Sequence, residues 1–118
     1  MNKKIFNDRV DEIINKLDDK GNAKLKALKI KESFLKYYDF DRLSNINIFS
    51  NIRNNGIYFE WNFNECQIVL DCECNEDIIP LEEYHKDNGT ITISNIKINL
   101  LGIKLLNRIL LDKHKNNG

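Results

Sequence analysis

Apolar side chains at Phe6, Val10, Ile13, Ile14 and Leu17 advance in steps of three and four. That spacing lines one stripe of a helix over residues 3–20, which Gly21 is placed to end. A second helical pattern follows through Ala27, Ile30, Phe34 and Tyr37 to about Tyr38, with Lys24, Lys26, Lys29, Lys31 and Lys36 at other positions. A turn around Asp39-Phe40-Asp41 then breaks the rhythm, and the period falls from 3.6 to 2. Asn55-Gly56 carries the strongest two-residue hairpin signal, because a type I′ turn needs two positive φ angles. A turn there predicts Ile52 opposite Phe59, Ser50 opposite Trp61 and Ile48 opposite Phe63. A second tight turn at Asn64-Glu65 predicts Phe63 opposite Cys66, Trp61 opposite Ile68, Phe59 opposite Leu70 and Ile57 opposite Cys72. Both registers gather the same apolar set on one face, so three strands of an antiparallel meander follow.

The opposite face of these strands reads Tyr58, Glu60 and Asn62 beside Gln67, Asp71 and Glu73, with Val69 the apolar exception. One buried and one wet face is the ordinary antiparallel arrangement, and Trp61 is expected in the core. Residues 75–88, which include Pro80, read as a connection. Thr90 to Ile93 reads as a fourth strand entered through Asn88-Gly89. From about Ile96 the apolar density suits a helix buried through Ile98, Leu101, Leu105 and Ile109, with Leu106 and Leu110. Residues 96–100 also alternate, so a strand there stays open. The tail from Lys113 to Gly118 is expected to fray. The fold class is α+β: two N-terminal helices, an antiparallel meander of about four strands, and a C-terminal helix on the sheet.

Composition bounds the chain without naming it. It has 118 residues, 42% apolar and 31% charged, as a single soluble domain requires. That length excludes a multidomain enzyme or a barrel. Asn7, Asp8 and Arg9 interrupt the apolar start that a secretory signal needs, and no stretch is long enough to span a bilayer. Three cysteines, Cys66, Cys72 and Cys74, make no disulfide framework. A cytoplasmic, reduced setting is expected. The abundance of Asn, Ile and Lys reads as the coding bias of an AT-rich bacterial or phage genome.

Catalytic signatures are missing: there is no G-x-S-x-G, no phosphate loop and no H-E-x-x-H. The cysteines and His85 offer zinc-ligand types, but C-x-C on an apolar strand face suits small buried hydrophobes better than a metal. His85, among Glu82, Glu83 and Asp87, has no nucleophile beside it and reads as a surface histidine. Glu60, Asp71 and Glu73 echo a nuclease metal site, yet the Lys required two positions after the Glu is Asn75. No catalytic residue, metal or cofactor is expected, and the chain reads as a non-enzyme.

Charge distribution is the informative feature. Lys+Arg and Asp+Glu balance at 18 each, but residues 60–87 hold nine acids against the lone base Lys86. Residues 23–36 carry five Lys against Glu32, and residues 97–115 five basic groups against Asp112. Acids concentrated on a rigid sheet repel one another unless a basic partner meets them. The expected function is therefore that of an immunity protein, antitoxin or phage-type inhibitor blocking the cationic site of a toxin, nuclease or defence enzyme. Its expected contact residues are Tyr58, Glu60, Asp71, Glu73, Glu76, Asp77, Glu82 and Glu83. The rival expectation is a nucleic-acid binder or regulator using Lys24, Lys31 and Lys36 of the second helix. The neutral total speaks against it.

Overall fold

A computed structural model of the chain describes residues 1–18, 22–51, 55–73 and 78–117. Two helices, α1 (Lys3–Lys16) and α2 (Ala23–Tyr37), precede five strands: β1 (Ile46–Asn51), β2 (Gly56–Asn62), β3 (Cys66–Glu73), β4 (Ile78–His85) and β5 (Ile91–Lys97). Helix α3 (Leu100–Asn117) closes the chain. The strands pair antiparallel in sequence order, a pure meander. The architecture is α+β, with five strands where the sequence predicts about four.

Alternation sorts each strand into two faces. Ile46 and Ile48, Ile57 to Phe63, Cys66 to Cys72, Ile79 and Leu81, and Ile96 point at every second position into one apolar cluster with the helices. From α1 the cluster takes Phe6, Val10, Ile13 and Ile14; from α2 it takes Ala27, Ile30 and Phe34; from α3 it takes Ile103, Leu106 and Leu110. Phe6, Phe34 and Phe59 stack on one another, with centroids 4.6–6.0 Å apart. Trp61 is fully buried, as its alternation predicts. Its indole Nε1 donates to the Tyr38 hydroxyl (2.9 Å), which donates in turn to the Leu43 carbonyl (2.6 Å). That relay satisfies the polar atoms that two large aromatics bring inside.

Several expectations are corrected. Helix α1 ends at Lys16, where Leu17 turns extended and its amide caps onto the Ile14 carbonyl; Gly21 lies outside the described residues. The β2–β3 register is the predicted one, but β1–β2 is displaced by four residues, pairing Ile48 with Phe59 and Ile46 with Trp61. Gly56 opens β2 instead of completing a two-residue turn, and Ile52 lies outside the described residues. Asn55 keeps the positive φ (52°) that its pairing with glycine suggested. Its side chain, however, clamps the end of α1: Asn55 Oδ1 accepts from the Asp18 amide (2.8 Å) and Nδ2 donates to the Asp18 carbonyl (2.5 Å). A displacement of four preserves which face every residue occupies, so hydrophobic alternation alone could not exclude it.

The expected connection around Pro80 is a strand. Backbone groups of Glu82 and Tyr84 aim at β3, because the Lys86 amide on the same side donates to the Glu65 carbonyl (2.9 Å). Pro80 shares that side, and its missing amide falls just past Leu70–Leu81, where the β3–β4 pairing ends. β4 therefore loses no ladder bond to proline. β5 continues to Lys97, and the helix starts at Leu100 under an Asn99 side chain that accepts from the Gly102 amide (2.9 Å). The buried face of α3 is Ile103, Leu106 and Leu110. Leu101 and Leu105, expected inside, are 76% and 45% exposed. A helix apolar around most of its girth admits several stripes, and Gly102 selects one by lying flat against the Lys97 carbonyl. The tail expected to fray is helical to Asn117, and Lys113 Nζ pairs with Glu83 at 3.2 Å.

Candidate functional site

All three helices cover one face of the sheet, and the other face is uncovered. Its cross-strand rows follow from the register. One row runs Asn47, Glu60, Val69, Glu82, Ile93, another Asn62, Gln67, Tyr84, Ile91, and a third begins Phe49, Tyr58, Asp71. Val69 lies at the centre, only 1% exposed although it is outside the core cluster. Its register neighbours Glu60 and Glu82 flank it in β2 and β4.

The tyrosines and carboxylates around Val69 act on one another. The Tyr84 hydroxyl donates to Glu82 Oε2, and this bond to a carboxylate, then burial, pushes its pKa up to about 12. Tyr58 is raised by burial first and then by the negative charges of Glu60, Asp71 and Glu82. Both phenols are therefore held neutral, with their hydroxyls retained as hydrogen-bond donors amid acceptors. Asn51 Nδ2 donates to Asp71 Oδ1 (2.8 Å), and Asn62 Nδ2 to Glu60 Oε1 (2.7 Å). Apolar groups border the acids: Phe49, whose ring lies 6.1 Å from that of Tyr58, on one side, and Ile91 and Ile93 on the other.

Of the contact residues expected from sequence, Tyr58, Glu60, Asp71 and Glu82 share this face. Glu83 does not. It alternates to the helix side of β4 and pairs with Lys113. Glu73 ends β3 opposite Gly56, but its side chain, like Glu76 and Asp77, lies outside the described residues. Tyr84, Phe49 and Ile93 also belong to the face and are not among the contacts expected from sequence; Tyr84 sits in the segment expected to be a connection. The signal was present: Ile79, Leu81 and Glu83 alternate against Pro80, Glu82 and Tyr84.

On the helix side, Lys31 of the rival basic surface is engaged by Asp11 of α1 (2.9 Å). Lys29 and Lys36 rim a recess of about 260 Å³ beside the first turn of α3. Cys66 and Cys72 are buried in the core, and burial raises the Cys66 thiol pKa first, with Lys113 opposing. Cys74 lies outside the described residues. His85 Nε2 meets Thr92 Oγ1 at 3.2 Å. Among the described residues, no three His, Cys, Asp or Glu side chains converge to hold a metal, and no helix is long and apolar enough to cross a membrane. The chain matches no protein-family model, no curated protein and no solved structure.

Proposed function

We propose that this protein is a non-catalytic cytoplasmic inhibitor of the immunity-protein, antitoxin or phage-encoded kind. Its uncovered sheet face occupies the cationic site of a nuclease or another nucleic-acid enzyme. One observation supports the reading above all: Tyr58, Tyr84, Glu60, Asp71 and Glu82 converge on a face that no helix covers. Carboxylates on a rigid sheet speed encounter with a basic surface, while tyrosines add contact area at small entropic cost. Phosphate-like charge presented on a protein surface competes directly with a nucleic-acid backbone for the same lysines and arginines. The lysines of α2 stand on the opposite side of the sheet, so they do not neutralise this face.

The test compares the protein with a Glu60→Lys, Asp71→Lys, Glu82→Lys variant. Each is immobilised, exposed to lysate of the source cell, and the nuclease activity of the captured fraction is assayed with and without free protein. The wild type should retain a basic protein, release it with salt and inhibit it stoichiometrically. The variant should keep its circular dichroism spectrum yet associate at least about tenfold more slowly at low salt, the scale of electrostatic steering. Equal association rates at low salt would sink the reading. Retention of random duplex DNA, lost on Lys24→Ala and Lys36→Ala, would transfer function to α2.

A further inference from the structure

We infer that β5 is a dimerisation edge, at which a second copy of this chain adds its own β5 antiparallel to form a continuous ten-stranded sheet. This inference is independent of the inhibitor reading. β5 ends the strand order, and residues 91–95 are exposed on both faces. Its backbone polarity follows from the turn before it: the His85 amide donates to the Thr90 carbonyl (2.9 Å). By antiparallel alternation, Thr90, Thr92, Ser94 and Ile96 spend their amides and carbonyls on β4. Ile91, Ile93 and Asn95 aim theirs off the edge.

Soluble proteins guard such an edge with a charge, a proline or a covering group. The opposite edge has one, since Arg9 Nη2 of α1 donates to the Ile48 carbonyl of β1 (3.2 Å). β5 carries its one charge, Lys97, at the far end of the strand: Ile91 to Ile96 contains no charge and no proline, and Ile91 and Ile93 are 56% and 64% exposed.

Complementarity identifies the occupant as a second copy. A two-fold axis through Thr92 sets Ile91 opposite Ile93 of the second copy, Thr92 opposite Thr92 and Thr90 opposite Ser94. Apolar meets apolar and hydroxyl meets hydroxyl, with the outward amides of Ile91 and Ile93 bonded reciprocally. Moving the axis to Ile93 leaves Ile91 against Asn95, so the Thr92 axis is preferred to it. About the Thr92 axis four isoleucines form a contiguous strip on the uncovered face, bordered by the two Tyr84 rings. The two acidic patches then share one surface, with the β3 strands about 24 Å apart at the usual strand spacing.

Sedimentation velocity of the full chain across a concentration series tests the inference. The wild type should pass reversibly from monomer to dimer, and Ile93→Lys should stay monomeric with an unchanged far-ultraviolet spectrum and melting temperature in dilute solution. Hydrogen exchange supplies a readout independent of variant folding: the Ile91 and Ile93 amides should gain protection as concentration rises, while that of Thr92 should not. A wild type that remains monomeric at its solubility limit overturns the inference. So does a dimer broken by Leu101→Glu and Leu105→Glu but not by Ile93→Lys, which would put the contact on α3.

Discussion

The three tyrosines with raised pKa values, Tyr38, Tyr58 and Tyr84, show how one side chain serves a core and a surface in different ways. Tyr38 is raised chiefly by burial, and its hydroxyl links Trp61 to the Leu43 carbonyl. Tyr84 is raised chiefly by a carboxylate that accepts its hydrogen bond. A group whose pKa rises on folding contributes stability that is fully present below its unfolded value and is lost as pH climbs through the folded one. For Tyr84 that window runs from 10 to about 12. Stability should therefore fall across this range, and Tyr84→Phe should flatten that part of the profile while leaving Tyr38 and Tyr58 to contribute. Denaturant melts at stepped pH, paired with a tyrosinate absorbance titration, check it. An identical alkaline profile in Tyr84→Phe would mean that Glu82 does not hold this proton.

At the scale of elements, the seat of α3 depends on a single absent methyl group. A Cβ on Gly102 would lie 1.7 Å from the Lys97 carbonyl oxygen, a backbone atom that cannot swing aside. Gly102→Ala must lift the first turn of α3 off the end of β5. It should cost more than the ~1–3 kcal/mol of ordinary overpacking. Gly89→Ala is the control: its site is open but its φ is +68°, so only the ~1–2 kcal/mol of left-handed strain applies. Urea denaturation of both variants ranks them, and a Gly102→Ala loss no larger than that of Gly89→Ala would contradict the docking. Asn107 fixes the far side of α3, accepting from the Asp39 amide (3.1 Å) and donating to the Tyr37 carbonyl (2.8 Å). The exit of α2 is thereby tied to α3 through one amide side chain.

Over the whole molecule, one sheet separates two chemistries. Helices and core lie on one side, and the Glu60, Asp71 and Glu82 carboxylates lie with the Tyr58 and Tyr84 phenols on the other. Cys66 and Cys72 are on the core side, from two ends of β3, so both thiols report opening of the entire helix-on-sheet layer. Alkylation resolved by peptide mass spectrometry should be slow at both positions in the folded protein, with equal protection, and fast in denaturant. Faster labelling of Cys66 alone would show that the β2–β3 end opens independently of the rest.

Periodicity in the chain by itself determined the helical stripes of α1 and α2, the β2–β3 register and the burial of Trp61. Each of these is a local pattern read against one neighbour: Phe6, Val10 and Ile13 repeat at helical spacing, and Asn64-Glu65 leaves a single tight closure. Tyr58, Glu60 and Asp71 were legible as one face for the same reason. Tertiary structure decided what local patterns leave degenerate. The β1–β2 register slid by four because parity survives an even displacement, and Asn55 was drawn to the backbone of Asp18. Pro80 entered a strand because its missing amide met the place where β3 stops bonding. Glu83 left the acidic face by alternation in β4, and Lys113 met it there. The exposure of Leu101 and Leu105 followed from Gly102 seating α3 on one stripe among several. In each case local preferences were nearly equal, and a contact from a distant part of the chain broke the tie.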